Sequence, residues 1–226
     1  MAGSEWLPVG TATPAVIGSG SDGDARQTQA AAGNGSSGSA TGRRLLLRLG
    51  LTDYRQYVGT NLRPPSELAA LIAAGKAEHN DPRAHLGGAL GCETMLLTAD
   101  DCMVPLNRSG AVATHTGQYN GPSGHPEPSN VAGLENGQEV ESGGGWDKLV
   151  LQELFESVRQ ETHEETNIPI DALEPPLLLG AMAETATGKP DLLFLSRTRL
   201  TVSEVEAVFK EGAPDAWESE GILMCD

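Results

Sequence analysis

The chain has 226 residues, enough for one sizeable domain with a core of its own. Its formal net charge of −16, from 15 Lys and Arg against 31 Asp and Glu, excludes recognition of nucleic acid or an anionic membrane through a basic footprint. The 38% apolar and 4% aromatic content, with 28 Gly and 14 Pro, describes a globular part diluted by loops and at least one unstructured segment. Three scattered cysteines (Cys92, Cys102, Cys225) make neither a disulfide framework nor a C-x-x-C zinc pair, so reduced thiols in an intracellular, cytoplasmic setting are expected. No apolar run approaches the roughly 18 residues of a membrane span, and the first residues resemble neither a signal peptide nor a transit peptide.

Residues 1–17 can hold one strand of the domain. The stretch 18–42 carries seven Gly and five Ser and reads as a disordered loop or linker. The domain proper is expected over 43–226. Arg44–Leu49 is a short apolar run between Gly42 and Gly50 and predicts a strand. Thr52 offers an N-cap for a helix over Asp53–Val58 that stops at Gly59; Ser66 and Gly75 bracket a second, ELAALIAA. Thr94–Thr98 and Cys102–Leu106, joined by Ala99-Asp100-Asp101, predict a hairpin, with Pro105 holding its second arm near an edge.

Ser109–Gly145 reads as loop. The next segment places Leu151, Leu154, Phe155, Val158 and Thr162 on one face at 3.6 residues per turn, a long helix that Pro169 stops. Two strands follow, Pro176–Met182 and Asp191–Thr198; Thr201-Val-Ser-Glu204 is a capping box opening a helix to about Lys210, and Gly221–Met224 is a last strand. The order of elements predicts an α/β domain with helices packed on a sheet.

On the long helix Glu161, Glu164 and Glu165 stand one turn apart, where like charges destabilise an isolated helix by about 0.2–0.5 kcal/mol per pair. On spacing alone they read either as a solvated acidic face or as ligands of a hard cation such as Mg²⁺, which takes carboxylate oxygens together with water and substrate phosphates. Tyr54, Arg55 and Asn61 could supply a stacking ring, a cation for phosphate and an amide, although Tyr54 and Tyr57 could equally pack a short helix. His125, in Gly124-His125-Pro126-Glu127-Pro128, could contact phosphate or metal, or serve the turn alone. Asp100-Asp101 reads as a solvated turn. His163 points away from the carboxylates by helical phase, and His79, His85 and His115 lie in loops without ligand spacing.

The stretch Gln160-Glu161-Thr162-His163-Glu164-Glu165-Thr166-Asn167-Ile168 resembles the second half of the Nudix box, G-x5-E-x7-R-E-U-x-E-E-x-G-U, in which U is bulky and apolar. Glu161, Glu164 and Glu165 match its acidic positions and Ile168 its last apolar one. Gln160 stands in place of Arg, Thr162 in place of an apolar residue, Asn167 in place of Gly and Gln152 in place of the first Glu; Gly124 is the counterpart of the opening Gly. The blocks from Leu45 to Asn61, Leu97 to Asp101, Gly124 to Pro128 and Leu177 to Gly180 extend the likeness to the Nudix branch that hydrolyses UDP-glucose and UDP-galactose. The resemblance implies an α/β/α sandwich with a mixed sheet, a requirement for Mg²⁺ with Mn²⁺ as a substitute, and attack of water on a UDP-sugar to give UMP and sugar 1-phosphate. It implies Glu161, Glu164 and Glu165 as metal ligands and catalytic groups, and Tyr54, Arg55, Asn61 and His125 as substrate contacts. A Nudix-fold binding protein without catalysis, or a hydrolase of another nucleoside diphosphate derivative, is the alternative. Family members continue well past the counterpart of Gly221, so a domain shortened at its C-terminus is also expected.

Overall fold

The computed structural model describes residues 47, 49–110, 117–131, 134, 146–215 and 219–223. The expected strands within 1–17 and at Arg44–Leu49 and the Gly/Ser stretch 18–42 lie wholly or mostly outside them. In chain order the elements are α1 (Tyr54–Thr60), α2 (Pro65–His79), β1 (Gly91–Leu97), β2 (Leu106–Arg108), β3 (Tyr119–Asn120), β4 (Ser123–Gly124), α3 (Trp146–Thr166), β5 (Leu177–Ala183), β6 (Pro190–Arg197), α4 (Val202–Glu211) and β7 (Ser219–Ile222). A 3₁₀ turn at Pro128–Asn130 precedes α3, and another at Ile170–Ala172 follows it.

Four strands form a mixed sheet in the order β4-β1-β6-β5, in which β1 and β6 run parallel and the other pairs antiparallel. Three more form a second sheet, β3-β2-β7. The α/β architecture is therefore the expected one. Strict alternation buries Leu192, Phe194 and Ser196 of β6 on one face. There α3 packs Leu154 and Val158 against Cys92, Leu192 and Phe194, with Phe155 edge-on to Phe194 at 5.3 Å between ring centroids. A second cluster joins Leu96, Val104, Ile168, Leu173 and Val205, which fixes the chain just after α3.

Several element boundaries differ from expectation for local reasons. Asp53, not Thr52, caps α1, its carboxylate accepting from the Gln56 N–H at 2.7 Å. Gly75 does not stop α2. The helix runs four residues further to a left-handed Asn80 (φ 55°), and Gly75 is buried where a Cβ would stand 2.7 Å from the Asp81 carbonyl oxygen of the returning chain. The hairpin also needs correction. After a tight turn with Asp101 at φ 61°, only Leu97 and Met103 form a bridge, and Pro105 marks the point where the chain leaves for the second sheet. Asp100 and Asp101 are not idle there: Asp100 accepts from the Val202 N–H, and Asp101 pairs with Arg197 at 2.7 Å. The α4 capping box is present as expected, and it holds the Glu204 carboxyl below the usual range.

Candidate active-site cleft

The end of β1 nearest its start, β4, and one flank of α3 enclose a cleft of about 870 Å³. Its floor follows from one close approach. Gly124 pairs with Cys92 across the sheet, and its missing side chain leaves room for Glu161, whose carboxyl group a Cβ at position 124 would overlap. Glu165, one turn further along α3, accepts the Ser123 N–H at 3.0 Å and is 3% exposed. Two carboxylates from successive helical turns thus face two successive residues of one short strand.

Glu164 does not join them. Its carboxylate accepts from Gln160 Nε2 at 2.5 Å, and of the three carboxylates only Glu161 lines the cleft itself, Glu165 being buried against Ser123. The carboxyl oxygens of Glu161, Glu164 and Glu165 do not converge to within ligand distance of one another. The altered positions of the motif have local explanations. Thr162 and Thr166 are buried with their hydroxyls bonded back to the Val158 and Thr162 carbonyls, so the apolar position tolerates a hydroxyl. Asn167 adopts φ 60°, the left-handed conformation that a Gly would take, and donates to the Val208 carbonyl at 2.7 Å.

Of the four expected substrate contacts, Tyr54 and His125 line the cleft and two do not. Arg55 is exposed outside it. Asn61 is 1% exposed, and its amide donates to the Thr187 carbonyl and accepts from the Gly87 N–H, so its hydrogen-bonding groups are engaged in holding loops together. Tyr57 also lines the cleft beside Tyr54, at 6.3 Å between rings, with burial pushing its hydroxyl pKa up. Burial, reinforced by Lys189, lowers the His125 ring to about 4. That leaves the ring uncharged at neutral pH. His163, half-buried, lies 2.9 Å from the Ile168 carbonyl oxygen.

Sequence reasoning passed over Lys189 and Asp191, an ion pair on the cleft wall; Lys189 lay in the segment between two expected strands and Asp191 was read only as the start of the second. It also missed Glu93, although period-2 alternation along β1 sets Glu93 on the opposite side from the buried Cys92 and Thr94. Glu153 ties the approach to the cleft, accepting from the Glu127 N–H and from Asn130 Nδ2. Cys92 is no nucleophile, because burial pushes its thiol up to about 12.

The electrostatics are lopsided. Glu93, Glu127, Glu153, Glu161 and Glu184 line the cleft, against Lys189 and Arg108, and Lys189 is already paired with Asp191. A polyanion would meet net repulsion here unless a cation accompanied it. The oxygen-only donors on α3, set where Gly124 leaves room, suit a hard divalent ion that retains water and substrate oxygens in its shell.

Fold and cleft together define an α/β domain with an acidic cleft between a sheet and one long helix. No family model matches the chain. It is 41% identical over 186 residues to the human uridine diphosphate glucose pyrophosphatase NUDT22, a match covering 82% of this chain and 60% of that protein. The mouse protein of the same name is 40% identical over 185 residues, covering 80% of this chain and 58% of its own length. Nudix hydrolase 9 of Arabidopsis thaliana is 34% identical over 177 residues, covering 76% and 55%. The chain belongs to the Nudix superfamily. It spans about three fifths of the length of these mammalian relatives.

Proposed function

We propose that the chain hydrolyses the diphosphate of UDP-sugars, UDP-glucose and UDP-galactose, to UMP and sugar 1-phosphate with Mg²⁺, or Mn²⁺ in its place, in an intracellular setting. The observation that carries this reading is the apposition of the Glu161 carboxylate to Gly124 inside an acidic cleft large enough for a nucleotide. The names of the human and mouse relatives supply the substrate class.

Glu161, with Glu165 one turn below it, would hold the ion against β4; Glu164, steadied by Gln160, stays outside the cleft wall. Bound there, the ion would supply charge neutralisation for the diphosphate and a more acidic water. The residues of the chain do the rest. Tyr54 and Tyr57 offer ring faces to a uracil base, neutral His125 offers a hydrogen bond, and Lys189 and Arg108 are the cations lining the cleft that a phosphate could meet. A water oxygen attacks one phosphorus as the bond from that phosphorus to the bridging oxygen breaks, and a cleft carboxylate takes the water's proton.

Incubation of the purified chain with UDP-glucose and Mg²⁺ should release UMP, and Glu161→Gln should lower that rate at least about 100-fold with the fold retained. Retained nucleotide binding without any turnover would instead make the chain a non-catalytic binding protein, and turnover confined to other nucleoside diphosphate derivatives would reassign the substrate.

A further inference from the structure

We propose that Glu78, His79 and His85 form a second metal site, chemically distinct from the carboxylate cleft, that takes a late first-row divalent ion of the Zn²⁺ type. One ligand atom from each of the three lies within 4.8 Å of the others, the one group of three His, Cys, Asp or Glu side chains to converge in this way among the described residues. Glu78 Oε2 stands 2.9 Å from His85 Nε2 and 3.9 Å from His79 Nε2. Two donors held about 2.0–2.1 Å from one tetrahedral ion are roughly 3.4 Å apart, so small side-chain rotations close the set around a single ion.

The backbone explains how residues that are separated in sequence meet. Glu78 and His79 end α2, and the left-handed Asn80 reverses the chain. The turn after it is tightly bonded. The Asp81 N–H donates to the Gly75 carbonyl, the Asp81 carboxylate accepts from the Arg83 N–H at 2.8 Å, and the Leu86 N–H donates to Arg83, which returns His85 to the helix end. The carbonyl end of α2 carries the negative pole of the helix and favours a cation. Both imidazoles face the same Glu78 carboxyl oxygen, His85 within hydrogen-bond distance and His79 further out. The two rings stand edge-on to each other at 5.2 Å, so three donor groups already crowd one point.

Two nitrogens and one oxygen select against Mg²⁺, which prefers oxygen, and for ions of the Zn²⁺ class. Side-chain exposures of 60%, 56% and 32% for Glu78, His79 and His85 leave the site open to solvent, with a fourth position for water. None of the three lines the cleft. The ion would clip the end of α2 to the turn that leads into Gly87, whose N–H is held by Thr60 and Asn61, and then into Gly88–Leu90 on the cleft rim.

The test uses the full chain without an affinity tag, stripped of metal and held in saturating Mg²⁺ so that the cleft carboxylates are occupied. Competition with a chromophoric chelator should show one Zn²⁺ bound per chain. His79→Gln and His85→Gln should each weaken it at least about tenfold, and Cys102→Ser should leave it unchanged. In the unsubstituted chain Zn²⁺ should also protect His79 and His85 from diethyl pyrocarbonate, as mapped by mass spectrometry. Absence of Zn²⁺ binding, full affinity in the double His variant, or undiminished modification of both rings would overturn the proposal.

Discussion

Single side chains in this molecule take their roles from burial more than from sequence position. Glu165 shows it. It sits seven residues after Val158 and eleven after Leu154, spacings that return a helix to the same face, so its phase already placed it toward the core and not on a solvated arc. A buried carboxylate survives there because the Ser123 N–H satisfies it. Lys189 had no such signal, since a lone cation in a polar loop gains meaning only when the fold brings it beside His125 and Asp191. His125 yields a prediction in pH. The ring titrates near 6.5 when unfolded and at about 4 when folded, so between those values only the unfolded chain takes up the proton. Stability that is fully present above pH 6.5 should therefore decline as pH falls toward 4. Unfolding free energies from urea titrations at pH 7.5 and 4.5 should differ by roughly 2–3 kcal/mol more in the native chain than in His125→Asn. Equal differences would show that the ring titrates normally.

At the scale of elements, the long helix was legible because its apolar stripe and its stop were both written in the sequence, and α3 spans Trp146–Thr166 with Leu154 and Val158 inward as expected. Leu151, on the same stripe, is 52% exposed, because the packing against Cys92, Leu192 and Phe194 begins at Leu154. The two-residue strand β4 was not legible as a strand, because its Ser-Gly sequence lacks any β pattern and its conformation is imposed by pairing with β1. Yet it fixes the cleft. Gly124→Ala should test the apposition of β4 and α3: the new methyl group meets the flexible end of Glu161 and not backbone, so the side chain can yield. The expected outcome is a cost of about 1 kcal/mol in stability, at the low end for overpacking, with at least a tenfold loss of Mg²⁺ affinity read by calorimetry. Unchanged Mg²⁺ affinity would separate Glu161 from the metal.

For the whole molecule, net charge and cleft charge tell one story. A chain of formal charge −16 that lines a nucleotide-sized cleft with carboxylates can accept a diphosphate only together with a cation. Composition disclosed the charge but not where it gathers, which is set when β1, β4, α3 and the loop before β6 come together. The split of the expected hairpin between two sheets was likewise beyond a local reading, since Pro105 marks a strand end in either case. Among the described residues no helix is long and apolar enough to cross a membrane. The central claim is that a divalent ion held by Glu161 admits the diphosphate. Titration of UDP, which reports binding without turnover of a sugar nucleotide, into the chain with Mg²⁺ and again with the metal chelated decides it most directly. The account predicts at least about a tenfold loss of affinity on chelation, and weak, Mg²⁺-independent binding in Glu161→Gln. UDP binding that is equal with and without Mg²⁺, or that still tightens with Mg²⁺ in the variant, would contradict it.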